Sequence, residues 1–173
     1  IKDRTFHVFD EAHLLNDVFC DSFGMVYNVE SLNRQITELT GLHSKFTEYS
    51  NELILFRDAI IDKKMNEDNY RMFLEVVFKT YSKISKTATS RAAMIPDLKD
   101  KKKFTKLSSR YSNQCLRISD FFKYKYEHSF DNSVDKEVSI KPIFISKMIE
   151  PMLGQYNLFM SATLSKQFAE TTF

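Results

Sequence analysis

Roughly a hundred consecutive residues in the middle of this chain place apolar side chains at helical spacing, with almost nothing to break a helix. The whole sequence of 173 residues holds three glycines and three prolines. So few turn-forming residues favour long helices over many short strands. From Asn28 onward, Val29, Leu32, Ile36 and Leu39 recur by threes and fours, with Asn28 as a suitable N-cap and Gly41 as a suitable stop. A second helix is predicted around Phe46, Tyr49, Leu53, Phe56 and Ile60. A third, over about 67–93, carries Tyr70, Phe73, Leu74, Val77, Phe78, Tyr81 and Ile84. Pro96 separates it from a fourth, whose stripe is Phe104, Leu107, Tyr111, Cys115, Ile118, Phe122 and Lys125, ending near His128. The longer two would reach about 40 Å at 1.5 Å rise per residue. Helices of that length in antiparallel order imply a projecting helical body rather than wraps around a sheet.

The two ends read differently. Thr5 to Phe9 is a short apolar, β-rich run that stops at Asp10 and Glu11. A short helix over 12–20 follows, with Leu14, Leu15, Val18 and Phe19 on its apolar side, then an extended stretch from Phe23 to Tyr27. After Asp131-Asn132-Ser133 the β character returns: a strand over Val138–Ile140 closing at Lys141-Pro142, a short helix from Ile145 to Leu153, and a second apolar strand over Tyr156–Met160. Ser165 is placed to cap a last helix. The organisation expected is therefore α/β over 1–28, an all-helical insertion over 29–134, and α/β again over 135–173. The chain begins without Met, inside a strand, which is expected of a piece of a longer protein.

Two short motifs carry chemistry. A buried strand that ends in carboxylates is the usual frame of an α/β ligand site. Mg²⁺ takes oxygen ligands and keeps several waters, so Asp10, with Glu11 beside it, suits a water-mediated metal contact. Glu11 is also placed to orient and deprotonate an attacking water. The plainer alternative is that both acids cap the helix that follows. Ser161-Ala162-Thr163 sits at the end of the last strand, where small hydroxyl residues can bond a carboxylate or imidazole without blocking it. Its plainer alternative is an N-cap. Each motif gains weight from the other.

These residues carry a resemblance. Val8-Phe9-Asp10-Glu11-Ala12-His13-Leu14-Leu15-Asn16-Asp17-Val18 with Asp21-Ser22, then Ile140-Lys141-Pro142-Ile143, then Leu158-Phe159-Met160-Ser161-Ala162-Thr163-Leu164-Ser165 resemble the XPD/DinG family of superfamily 2 DNA helicases. They correspond to its motif II, its re-entry into the motor domain and its motif III. The helical region lies where that family carries its arch. The resemblance implies a RecA-like motor-domain fragment with an arch-like, antiparallel long-helix insertion, from an ATP-dependent helicase translocating 5′ to 3′ on single-stranded DNA. It implies ATP and Mg²⁺ as cofactors. Asp10 and Glu11 would serve the metal and the water, and His13 would couple to Ser161, Ala162 and Thr163. The phosphate-binding Gly-x-Gly-Lys-Thr loop, the second motor domain and the family's usual iron–sulfur cysteines are absent from this sequence. The segment alone is therefore expected to be inactive, with the remaining helicase domains as its partners.

Net charge is +2, too small to argue for nucleic acid by itself, so any contact must come from local clustering. One such cluster is Lys99, Lys101, Lys102, Lys103 and Lys106 around Phe104, followed by Arg110, Arg117, Lys123 and Lys125. Phosphates on the cations and bases on the rings would track single-stranded DNA. A solvated helix end, with Phe104 and Tyr111 in the core, is the competing account. Cys20 and Cys115 have no metal-ligand spacing, which argues against a disulfide framework or zinc site and fits an intracellular setting. No apolar run reaches the ~18 residues of a membrane span. Rival functions are a nucleic-acid-stimulated ATPase or helicase-linked nuclease whose arch docks a protein partner, and a helical interaction module whose motifs are coincidental.

Overall fold

A computed structural model describes residues 6–9, 14–42, 44–123, 128–143 and 156–159. The chain is mostly helical, with two small sheets. In order, its elements are β1 (Phe6–Phe9), α1 (Leu15–Phe23), β2 (Met25–Asn28), α2 (Val29–Thr40), α3 (Ser44–Ile61), α4 (Tyr70–Met94), α5 (Leu98–Lys123), β3 (His128–Asp131), β4 (Glu137–Pro142) and β5 (Tyr156–Phe159). It divides into two compact units: residues 1–25, 126–129 and 140–173 in one, and 26–125 with 130–139 in the other.

The helical unit is built as its spacing predicts. Asn28 Oδ1 accepts from the Ser31 amide at 2.8 Å, satisfying one of the orphan donors at the start of α2. That helix buries Val29, Leu32, Ile36 and Leu39. α3 ends in a Schellman turn: the Lys64 amide bonds the Ala59 carbonyl and the Lys63 amide bonds that of Ile60. Lys63 takes the left-handed position (φ 51°) that glycine usually fills. α4 and α5 are joined by three residues and run antiparallel, since Cys115 Sγ lies against the Phe78 carbonyl while Thr89 bonds Ser108 at 2.7 Å.

The core between these helices is aromatic. Tyr81 and Tyr111, both buried, meet with ring centroids 5.0 Å apart, and Tyr27 sets its ring edge-on to Phe56 at 5.2 Å. Tyr70 packs against both Phe121 and Phe130. The fourth helix was expected to bury Phe122 and to run to His128. Instead Phe121 is the buried residue, Phe122 is half-buried, and α5 closes at Lys123. His128 begins a strand, β3, that the sequence reading did not foresee. Phe130 stacks on Tyr70 at 5.5 Å, so this strand owes its place to tertiary packing more than to its own pattern.

The small antiparallel sheet has the order β2-β4-β3. β3 and β4 form a hairpin in which Asp131 Oδ1 accepts from the Ser133 amide and Lys136 adopts φ 58°. The first helix was expected over 12–20, yet among the described residues it occupies Leu15–Phe23. Gly24 is its stop. The Gly24 amide bonds the Cys20 carbonyl at 2.8 Å, and a Cβ at Gly24 would lie 2.6 Å from that oxygen, so no other residue fits without displacement. The extended stretch expected from Phe23 accordingly starts two residues later, at Met25. The helices expected over 145–153 and after Ser165 lie outside the described residues.

Candidate functional site

β1 and β5 are the strands that precede the two motifs in sequence, and they pair with each other. The pairing is parallel and in register: Phe6 with Tyr156, His7 with Asn157, Val8 with Leu158, and Phe9 with Phe159. Parallel strands point their C-terminal ends the same way. Asp10 follows Phe9 and Met160-Ser161 follows Phe159, so each motif is one or two peptide units from the same end of the pair. Asp10, Glu11, Ala12, His13, Ser161, Ala162 and Thr163 themselves lie outside the described residues.

Within the same unit, the helix after the acidic motif is tied to the Ile140-Lys141-Pro142-Ile143 stretch. Lys141 Nζ meets Asp21 Oδ1 at 2.7 Å, and Cys20 Sγ donates to the Pro142 carbonyl at 3.2 Å. Burial raises the Cys20 thiol above its ordinary value, and Asp17 adds to that, so this sulfur is a packing group and not a nucleophile. Burial likewise raises the Cys115 thiol.

The basic stretch on α5 resolves into two kinds of cation. Lys101, Lys102, Lys103 and Lys106 are exposed and make no ion pair among the described residues. Lys99, Lys103, Lys106 and Arg110 recur at helical spacing along one flank. Arg110, by contrast, is held. Its guanidinium bonds Glu38 Oε2 at 2.6 Å and lies 4.9 Å over the Tyr111 ring. The aromatics of this stretch belong to the core: Phe104 is half-buried and stacked on Phe46 at 6.0 Å, and Tyr111 is fully buried. The rings expected to be open to bases are thus already occupied, while the lysines remain open to phosphates.

Two cavities flank the helices. One of about 310 Å³ lies between α2 and α5, lined by Ser31, Arg34, Gln35, Glu38, Arg110, Tyr111 and Gln114. The Tyr111 hydroxyl is buried at its wall with no hydrogen-bond partner. Burial pushes this phenol up to about 12, and Arg110 is close enough to temper the rise without forming a hydrogen bond of normal geometry. The second cavity, about 360 Å³, lies between α3 and α4 and is lined by Lys45, Lys86, Thr87, Ser90, Arg91 and Met94. Sequence reading missed it because its cations come from two helices and form no run. The only linear signal is Lys86, Ser90 and Met94 at four-residue intervals.

Among the described residues no helix is long and apolar enough to cross a membrane. No known protein family matches the chain, and no curated protein is similar to it in sequence.

Proposed function

We propose that this chain belongs to an ATP-dependent DNA helicase, that residues 1–28 and 135–173 are parts of a RecA-like motor domain, and that the helical unit is an arch-like insertion bordering a single strand. The observation that carries this reading is the parallel, in-register pairing of β1 with β5. Ligand sites of open α/β sheets lie outside the carboxyl ends of parallel strands, and both motifs follow such ends. On this reading Asp10 and Glu11 supply hard oxygen donors suited to Mg²⁺, which would bridge and neutralise the phosphates of ATP. Glu11 orients the attacking water and takes its proton, and His13 links that event to Ser161 and Thr163 on the neighbouring strand. The free lysines of α5 contribute phosphate contacts. The chain holds no Gly-x-Gly-Lys-Thr loop, so ATP hydrolysis requires a protein that supplies one outside these 173 residues.

The test is ATP hydrolysis by the full-length protein, with and without single-stranded DNA, comparing wild type with Glu11→Gln. DNA should stimulate the wild type. The substitution should lower kcat by roughly 10²–10⁴-fold, the usual contribution of a positioned general base, while nucleotide binding persists. Hydrolysis that is absent, or indifferent to Glu11, would overturn the motor reading.

A further inference from the structure

The cavity between α3 and α4 is lined by three cations, two hydroxyl residues and a methionine, with no carboxylate among its described lining residues. Lys45 stands in the first turn of α3, and Lys86, Ser90 and Met94 share one face of α4, with Thr87 and Arg91 beside them. Thr87 Oγ1 is 3.1 Å from the Tyr49 hydroxyl, and Ser90 Oγ donates to the Lys86 carbonyl at 3.1 Å. Like charges around one cavity repel, and an anion relieves that repulsion.

The cavity is not an isolated patch. The short turn between α4 and α5 puts the end of α4 beside the start of α5, and the Phe46–Phe104 stack brings the start of α3 to the same place. Over 44–48, 86–94 and 97–106 the sequence has eight cations, Lys45, Lys86, Arg91 and five lysines of α5, against the carboxylates Glu48, Asp97 and Asp100. Asp97 is engaged at the start of α5, accepting from the amides of Lys99 and Asp100 at 2.9 Å. Met94 (76% exposed) and Leu98 (65%) add apolar surface between the cavity and the lysines.

We propose that this cavity seats a backbone phosphate of a single-stranded polynucleotide, whose neighbouring phosphates run along Lys101, Lys102, Lys103 and Lys106. A guanidinium offers paired donors to phosphate oxygens, an ammonium offers a point charge, and a hydroxyl offers one more hydrogen bond. A small phosphate compound would leave the lysines of α5 unused. A strand uses both, with its sugars against Met94 and Leu98. The inference rests on the single-strand part of the reading above and not on its ATPase part.

Binding of a labelled oligothymidylate to the full-length protein, followed by anisotropy across a salt series, tests it. Lys86→Gln combined with Arg91→Gln should weaken binding roughly ten- to thirtyfold, as loss of charge-assisted hydrogen bonds does. The slope of log affinity against log salt should fall by about 1.4, at ~0.7 per single-strand phosphate contact. Unchanged binding by that variant, alongside weakened binding by Lys102→Gln with Lys103→Gln, overturns the cavity assignment and leaves the single-strand reading standing. Wild type that ignores oligothymidylate but is stabilised against heat by inorganic phosphate overturns the strand and leaves a small-phosphate site. Binding of neither probe overturns both. Polyglutamate competing as well as unlabelled oligothymidylate also overturns the proposal, since it shows a site selective for charge alone.

Discussion

Replacing Tyr111 with phenylalanine should make this protein more stable. The side chain is wholly buried, its ring centroid lies 5.0 Å from that of Tyr81, and the Arg110 guanidinium sits 4.9 Å over its face. Phenylalanine keeps all of that. What it removes is a hydroxyl with no hydrogen-bond partner and no contact with solvent. A buried polar group left unsatisfied costs about 1–3 kcal/mol. The small void left by one oxygen returns part of that gain, so the net effect should be about +1 kcal/mol. In a chain of this size that raises Tm by about 2–4 °C. Tyr81 is the control. Its hydroxyl is hydrogen-bonded to Gln35, so Tyr81→Phe should lose about 1 kcal/mol, the opposite sign from a similar edit. Equilibrium urea unfolding of the three proteins reads both, provided the m-values agree. A Tyr111→Phe protein less stable than wild type would refute the reasoning, since it would mean that the hydroxyl finds a partner in the cavity between α2 and α5.

Three other outcomes are expected. Asn28→Ala removes the cap on α2 and should cost about 1 kcal/mol in the same unfolding assay, with Asn28→Asp close to wild type; equal stability of all three would show that the bond to Ser31 contributes nothing. Burial alone would raise the Glu52 carboxyl, but hydrogen bonds from Lys83 and Thr80, with the charge of Lys83, hold it below its ordinary value of 4.5. A carboxylate so depressed stabilises the fold fully above that ordinary value and loses the contribution as pH falls through the folded one. The stability gap between wild type and Glu52→Gln should therefore close between about pH 6 and about pH 3, and a constant gap would count against the ion pair. The 173-residue chain on its own should hydrolyse no ATP, and any turnover above background would mean that the missing phosphate-binding loop is not needed.

The helical unit was open to sequence reading because its information is local. Val29, Leu32, Ile36 and Leu39 announce one buried face by spacing alone, and Asn28 announces where the helix begins. Strands carry less. Phe130 secures β3 only through Tyr70, sixty positions earlier, and nothing in His128-Ser129-Phe130-Asp131 foretells that partner. The register of β1 with β5 is of the same kind. A one-residue slip would exchange the faces of both strands, and no feature of Phe6-His7-Val8-Phe9 selects Tyr156-Asn157-Leu158-Phe159 over another apolar run. Sequence supplied the motif residues, and the pairing supplies a reason for taking the two motifs together.

Charge was the least legible quantity. Twenty-five basic residues against twenty-three acidic ones sum to almost nothing, and that sum conceals a separation. Arg110 with Glu38, Lys83 with Glu52, Lys64 with Asp62, Arg57 with Asp58 and Lys141 with Asp21 are paired within 2.7 Å. Exposed pairs of this sort add little stability, but they do cancel one another's fields. Lys86 and the five lysines at the start of α5 have no such partner among the described residues, so their potential reaches solvent and draws polyanions from a distance. A basic residue in the sequence is therefore only half a signal. Arg110 and Lys106 are one helical turn apart, yet the first is neutralised by a carboxylate on α2 and the second is not. Which cations can meet a phosphate is decided by which carboxylates the fold has already brought to the others.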